Sequence, residues 1–134
     1  MSVWPDDLPA IRVRMARQTD QLEALKRFYC DGLGLEVIGS FTGHAGYDGL
    51  IVGLPGKAYQ LEFVHHHDGS PGQSPNKENL LVFYVEDRAA VQRTADKLTA
   101  MGYPAVPSEN PWWDEHNAIT IEDPDGYRVV LQPV

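Results

Sequence analysis

Glu122-Asp123-Pro124-Asp125-Gly126-Tyr127-Arg128-Val129-Val130-Leu131 reads as a tight turn feeding an apolar strand. Proline at the second turn position and glycine at the fourth suit a type I turn, which makes 118–122 and 127–132 the arms of a hairpin. Tyr127, which opens the second arm, stands 68 positions after Tyr59, which opens another apolar strand. The same 68 positions separate Gly34 from Gly102, each ending a helical stretch. The second half of the chain is therefore a degraded copy of the first. Each half runs strand, helix, then three strands, an α+β arrangement of two βαβββ modules. Packed edge to edge, two such units make a curved mixed sheet around a cavity, with the helices on the outer face. Equivalent positions of both halves then look into that cavity, where function is expected.

Outward from this repeat, 11–17 alternates apolar Ile11, Val13 and Met15 with Arg12 and Arg14, a strand with its apolar face on the core and its arginines on the other. Asp20 with Glu23 three residues later is a capping-box-like start for a helix whose stripe is Leu22, Leu25, Phe28 and Tyr29. Gly32 and Gly34 stop it. Three strands follow at 36–41, 50–54 and 59–64, with Leu54-Pro55-Gly56-Lys57 suited to a type II turn between the last two. A Gly-rich loop carrying His44, Tyr47 and Asp48 lies between the first two. The stretch 65–79 lacks periodicity and connects the modules, giving one domain over 1–134 with module one at 11–67, a linker at 68–79 and module two at 80–134. In module two, 80–85 is a strand, Asp87 caps a helix with Val91, Ala95 and Leu98 on one stripe, and Gly102 closes it. A short strand at 103–106 and a long loop at 107–117, holding Trp112 and Trp113, precede the hairpin.

At 134 residues and 43% hydrophobic content, the chain can bury one real core. Nineteen acidic against eleven basic residues give a net charge of -8, which disfavours nucleic acid and anionic lipid. No basic stripe with interleaved aromatics is present on which nucleic acid could stack. No apolar run approaches the roughly 20 residues of a membrane span. The first ten residues are acidic and proline-bearing where a signal peptide is basic then apolar, so a cytoplasmic protein is expected. The single Cys30 cannot form an intrachain disulfide and sits in the first helical pattern as a small packed side chain. Phosphate loops, nucleophile elbows and CxxC pairs are missing, which sets nucleotide-dependent and thiol chemistry aside.

Arg27-Phe28-Tyr29 through Gly32-Leu33-Gly34-Leu35-Glu36-Val37, followed by the 122–131 motif, resembles the vicinal oxygen chelate superfamily: glyoxalases, bleomycin resistance proteins and extradiol dioxygenases. The resemblance runs from about Ile11 to Leu131. It implies a homodimer and, in the metal-using members, a divalent ion held by one residue from the first and one from the fourth strand of each module. Carried over, those positions are Arg12 or Arg14, Glu62, Leu80 and Val130, so only Glu62 is a ligand. A catalytic site for Zn, Ni or Fe needs about three N, S or O donors. No cofactor is expected on this reading. A guanidinium from Arg12 or Arg14 would stand where the family has its metal, pairing with Glu62 and able to grip a carboxylate, phosphate or enolate by its fork. A structural ion pair filling the cavity would look the same.

Around that centre the candidates are these. Glu62 would be a general base, Arg14 would stabilise developing negative charge, and Tyr84, on the face of Leu80 and Val82, would be the acid or a buried hydrogen-bonding tyrosine. His44 is a second acid or a loop side chain. Arg128 shares a face with Val130 and adds a positive group to the pocket unless it is solvated at an edge. Trp112 and Trp113 can stack a planar ligand or close the cavity. His66, within His65-His66-His67-Asp68, would join Glu62 and His44 if a metal site with relocated ligands exists, and otherwise belongs to a solvated loop. The functional expectation is a small-molecule binding protein of this superfamily, its usual metal site degenerate and its ligand anionic. A drug-sequestering resistance protein and a metal-dependent lyase, isomerase or dioxygenase with relocated ligands are the alternatives.

Overall fold

The computed structural model describes residues 7–134 except Pro55 and Lys57. The turn read at 54–57 contains both and so lies outside the described residues. Module one comprises β1 (Val13–Gln18), α1 (Leu22–Lys26), a π-helical continuation (Arg27–Gly32), β2 (Glu36–His44), β3 (Tyr47–Gly53) and β4 (Tyr59–His66). Module two comprises β5 (Leu80–Val85), α2 (Arg88–Ala100), β6 (Ala105–Val106), α3 (Pro111–Glu115), β7 (Ile119–Glu122) and β8 (Arg128–Pro133). The strands form two mixed four-stranded sheets, one per module, ordered β1-β4-β3-β2 and β5-β8-β7-β6. In each, the first strand runs parallel to the last and the other pairs are antiparallel.

One apolar cluster serves both modules. Leu25, Phe28 and Tyr29 from the first helix, Leu50, Val52 and Phe63 from its sheet, Val91, Ala95 and Leu98 from α2, and Ile121, Val129 and Leu131 from the second sheet form a single core. Alternation then assigns the opposite faces: Arg14, Gln60 and Glu62 in one half, and Leu80, Val82, Tyr84, Arg128, Val130 and Gln132 in the other, point away from α1 and α2. The stripes read in both helices are those buried, except that Leu22 is half-buried at the margin of the core.

Several local readings need correction. The first helix is α-helical for only five residues. It then widens so that Leu33 N–H donates to the Phe28 carbonyl, five residues back. That widening lets the consecutive Phe28 and Tyr29 both enter the core, where their rings meet edge to face at 4.9 Å. Asp20 does not cap this helix, because its carboxylate accepts the Ser70 backbone N–H of the linker. Thr19 Oγ1 accepts from Gln21 N–H instead, at 2.9 Å. At the other module the Asp87 cap forms as read, Oδ1 accepting from Ala90 N–H at 2.7 Å.

The loop read around His44 is a two-residue hairpin. β2 and β3 extend to His44 and Tyr47, joined by Ala45 and Gly46 with φ of 54° and 85°, the two positive values a type I′ turn requires. The 107–117 segment contains α3, capped by Asn110 Oδ1 accepting from Trp112 N–H at 3.0 Å with Pro111 at the first helical position. Ile11 lies outside β1 and is exposed, and Met15 is 66% exposed. β1 is an edge strand with β4 alone beside it, so its apolar face looks into a cleft between the modules rather than into packed core.

The register also settles the frame of the repeat. Glu62 lies opposite Ala16, and Val130, its counterpart 68 positions on, lies opposite Val82. Ala16 and Val82 are only 66 apart, so the first strands have slipped by two residues relative to the fourth. Arg14, opposite Gln60, is thereby the equivalent of Leu80, opposite Arg128. Arg12 precedes β1 and is exposed.

Candidate functional site

On the helix-free face of module one, Arg14 Nε donates to Gln60 Oε1 at 2.8 Å. Its Nη1 stands 3.8 Å from Glu62 Oε1, with side-chain exposures of 33% and 22% for Arg14 and Glu62. Nε is thus committed and the fork is held toward Glu62 without a short bond to it, since 3.8 Å exceeds hydrogen-bonding distance. A guanidinium in that state keeps donors for a ligand. The structure therefore brings together two of the residues read from sequence, Arg14 and Glu62, and adds Gln60, which orients the arginine.

The remaining candidates are elsewhere. Tyr84 pairs with Gln132 on β5 and is 67% exposed, and among the described residues no hydrogen bond joins it to Glu62 or to an arginine. His44 sits at the tip of the β2–β3 hairpin, paired with Tyr47, which is paired with His66. His66 is itself four residues from Glu62 along β4, about 13 Å of strand. His44 and His66 are therefore too far from Glu62 to share an ion with it. His65, His66 and His67 go to separate carboxylates, Asp20 at 3.1 Å, Asp68 at 3.7 Å and Asp48 at 3.1 Å. The Asp48 carboxyl is held below its usual range by the Gly43 N–H and by His67.

Arg128 is buried rather than offered to a ligand. Its Nε and Nη2 lie 3.1 Å from Glu122 Oε2, and Nη1 donates to the Pro107 carbonyl at 2.8 Å. Gln132 Nε2 likewise donates to the His116 carbonyl at 2.9 Å. These two side chains flank Val130 and tie down both ends of the segment that carries α3, which straps across the second module's face. Beneath it, Thr120 Oγ1 and Gln132 Oε1 are buried without hydrogen-bond partners among the described residues. On the strap, Trp112 stacks on His116 with centroids 3.8 Å apart and meets Trp113 edge to face at 5.1 Å.

The metal positions implied by the superfamily are thus Arg14, Glu62, Leu80 and Val130. One carboxylate, one cation and two hydrocarbon side chains do not fit a divalent ion. Among the described residues no three His, Cys, Asp or Glu side chains are grouped to hold one.

Sequence reasoning missed the buried polar cluster that joins the two modules. Arg17 Nη2 donates to the Tyr29 hydroxyl at 3.1 Å and to Asp123 Oδ2 at 3.0 Å, and Tyr29 Oη donates to the same Oδ2 at 2.7 Å. The guanidinium carbon lies 3.7 Å from the centroid of the Tyr127 ring. The other Asp123 oxygen accepts from Asp125 and Tyr127 N–H, so one carboxylate builds the hairpin turn and joins the two modules. The available signal was phase: Arg17 follows Val13 and Met15 on the helix-facing side of β1, where a charge needs a partner.

Burial, and then the neighbouring Asp123 carboxylate, push the Tyr29 hydroxyl well above its ordinary value of 10.0. Below that ordinary value both folded and unfolded chains keep the proton. Above it the unfolded chain loses the proton first, so stability falls as pH rises from there through the folded value. Tyr29→Phe is expected to remove this alkaline loss while costing about 1–2 kcal/mol at neutral pH. Urea unfolding from neutral pH to about pH 11 checks both effects.

Comparison with known proteins places this architecture. Glyoxalase I of Leishmania major superposes with a TM-score of 0.70 at 17% identity, over 90% of this chain and 84% of that one, a likeness of fold. The paired βαβββ modules thus have the fold that the vicinal oxygen chelate resemblance implies. A crystal structure of the YycE protein from Bacillus subtilis superposes with a TM-score of 0.89 at 45% identity, covering 95% of this chain and 92% of that one. YycE of Bacillus subtilis strain 168 is 47% identical over 122 residues, 91% of this chain and 87% of its own length. The models of the YycE-like N-terminal and C-terminal domains match residues 13–64 and 78–133. This chain belongs to the YycE-like family. Among the described residues no helix is long and apolar enough to cross a membrane.

Proposed function

We propose that this chain binds a small organic anion at Arg14 on the helix-free face of module one, with the guanidinium as positive centre where metal-using members of the superfamily hold an ion. The observation that supports this reading is the geometry of Arg14, fixed by Gln60 at 2.8 Å yet 3.8 Å from Glu62 and partly open to solvent. A bidentate partner would satisfy the fork, and a carboxylate or enolate has the matching shape. For a 2-oxo acid, Glu62 beside it serves as a base toward a proton on the carbon next to the oxo group, with Arg14 stabilising the enolate charge that develops. This is a lyase or isomerase type of chemistry that uses no metal.

Phenylpyruvate, a 2-oxo acid with an apolar ring, is the test ligand. By calorimetry Arg14→Met is expected to weaken its binding by at least about thirtyfold, the lower bound for removing one partner of a charge pair. In deuterated buffer, NMR should show exchange of its methylene protons faster than in buffer alone, and Glu62→Gln should abolish that excess while retaining binding. Elemental analysis of untagged protein accompanies these measurements. A stoichiometric divalent ion that disappears in Glu62→Gln would overturn the reading, as would Arg14→Met binding unchanged.

A further inference from the structure

The segment 107–117 is bonded more to itself than to the sheet it crosses. Within it, Ser108 Oγ donates to the Asn110 carbonyl at 2.7 Å, Asp114 Oδ2 accepts from Ser108 N–H at 3.1 Å, and Trp112 stacks on His116. Its helix α3 buries no residue, and among the described residues none from 107–117 belongs to the hydrophobic core or packs against it. Two side-chain hydrogen bonds latch it to β8, from Arg128 Nη1 to the Pro107 carbonyl at one end and from Gln132 Nε2 to the His116 carbonyl at the other. Both ends suit a hinge: Pro107 follows β6 directly, and Asn117, two residues before β7, is left-handed with φ of 68°. The closure is also imperfect. Thr120 Oγ1 and Gln132 Oε1 beneath it lack partners among the described residues, although buried polar atoms are nearly always paired. Water would satisfy both once the segment lifts, so the closed state carries a cost that opening relieves.

We infer that 107–117 is a lid, closed in this structure, which lifts as one body while the rest of the fold stays intact and bares the β8 part of the module-two face. The surface it uncovers is Val130 with the Thr120 hydroxyl, the Gln132 amide and Arg128, whose charge Glu122 cancels at 3.1 Å. With the lid down these groups are buried and meet no ligand, and the Pro107 and His116 carbonyls take the donors that one would use. Opening therefore gates this face. The lid makes no use of Arg14 or Glu62, so it stands or falls independently of the anion reading above.

Cysteines placed under the lid read its opening. In a Cys30→Ala background, Thr120→Cys and Val130→Cys each put a thiol beneath the strap, and Val129→Cys puts one on the opposite face of β8; the native side chains there are 1%, 0% and 0% exposed. Iodoacetamide labelling followed by mass spectrometry is expected to modify positions 120 and 130 at least about a hundredfold faster than position 129, since a lid needs only a local opening and the core needs a global one. Urea below the unfolding transition should speed labelling at 129 and leave 120 and 130 unchanged. Arg128→Met removes one latch and leaves Glu122, its side chain 39% exposed, free to hydrate. It should raise labelling at 120 by about tenfold or more, the lower bound for a hydrogen bond to a charged group, without a matching rise at 129. Two positions under the lid keep the test intact if one variant fails to fold. Equal rates and equal urea dependence at 129 and at the covered positions would overturn the inference, as would Arg128→Met leaving 120 and 130 unchanged or speeding all three alike.

Discussion

Asp123→Ala is expected to lower the unfolding free energy by about 3–5 kcal/mol, the loss that follows when one partner of a buried charge pair is removed. The Asp123 side chain is fully buried, and it neutralises Arg17, accepts from Tyr29 and accepts two backbone N–H groups of its own turn. Deleting it strands a guanidinium beside a phenol that cannot neutralise it, and loosens the turn that launches β8. Asp123→Asn is the informative control. It keeps an acceptor for the turn and loses the charge, so a smaller loss than alanine but one still above about 2 kcal/mol assigns the larger share to the ion pair. Urea unfolding measures both variants. A cost below about 1 kcal/mol for alanine would mean that Arg17 escapes to solvent, and would remove the electrostatic account of the module junction.

Leu98→Ala is expected to cost about 2–5 kcal/mol by the usual cost of a buried cavity. Leu98 is fully buried on α2, and Gly32 of the π-helical segment approaches it so closely that a methyl group at Gly32 would overlap Leu98 Cδ2. The contact joins the helices of the two modules. Gly32→Ala should therefore destabilise the wild-type chain and be neutral or stabilising in the Leu98→Ala background, where its methyl enters the vacated space. A double-mutant cycle by thermal or urea unfolding reads this coupling. Additive effects would show that the helices yield independently of each other.

Residues that report on local structure were legible in the sequence. The 68-residue repeat, the Asp87 cap and the Asp123–Gly126 turn depend on nearby residues, and all three are present. What escaped depends on partners distant in sequence. Asp20 had the spacing of a cap, but a linker N–H fifty residues away claims it. The hairpin at Ala45-Gly46 lacks the Asn-Gly or Asp-Gly pair that usually announces such a turn. Arg128 shared a face with Val130 as read, but no local pattern signals that the strap buries its charge against Glu122. At the candidate site Arg14 and Glu62 were legible by alternation, whereas the choice of Arg14 over Arg12 waited for the strand register.

The two-residue slip between the first strands has a consequence for the symmetry of anything the protein recognises. Module one sets Arg14 and Glu62 where module two sets Leu80 and Val130, and in module two the β8 part of the face lies under the strap. A dyad-symmetric ligand, or two identical ligands bound one to each half, would meet charge on one side and hydrocarbon on the other. The duplicated chain has thus become a division of labour, in which one copy carries the polar chemistry and the other serves as wall and closure.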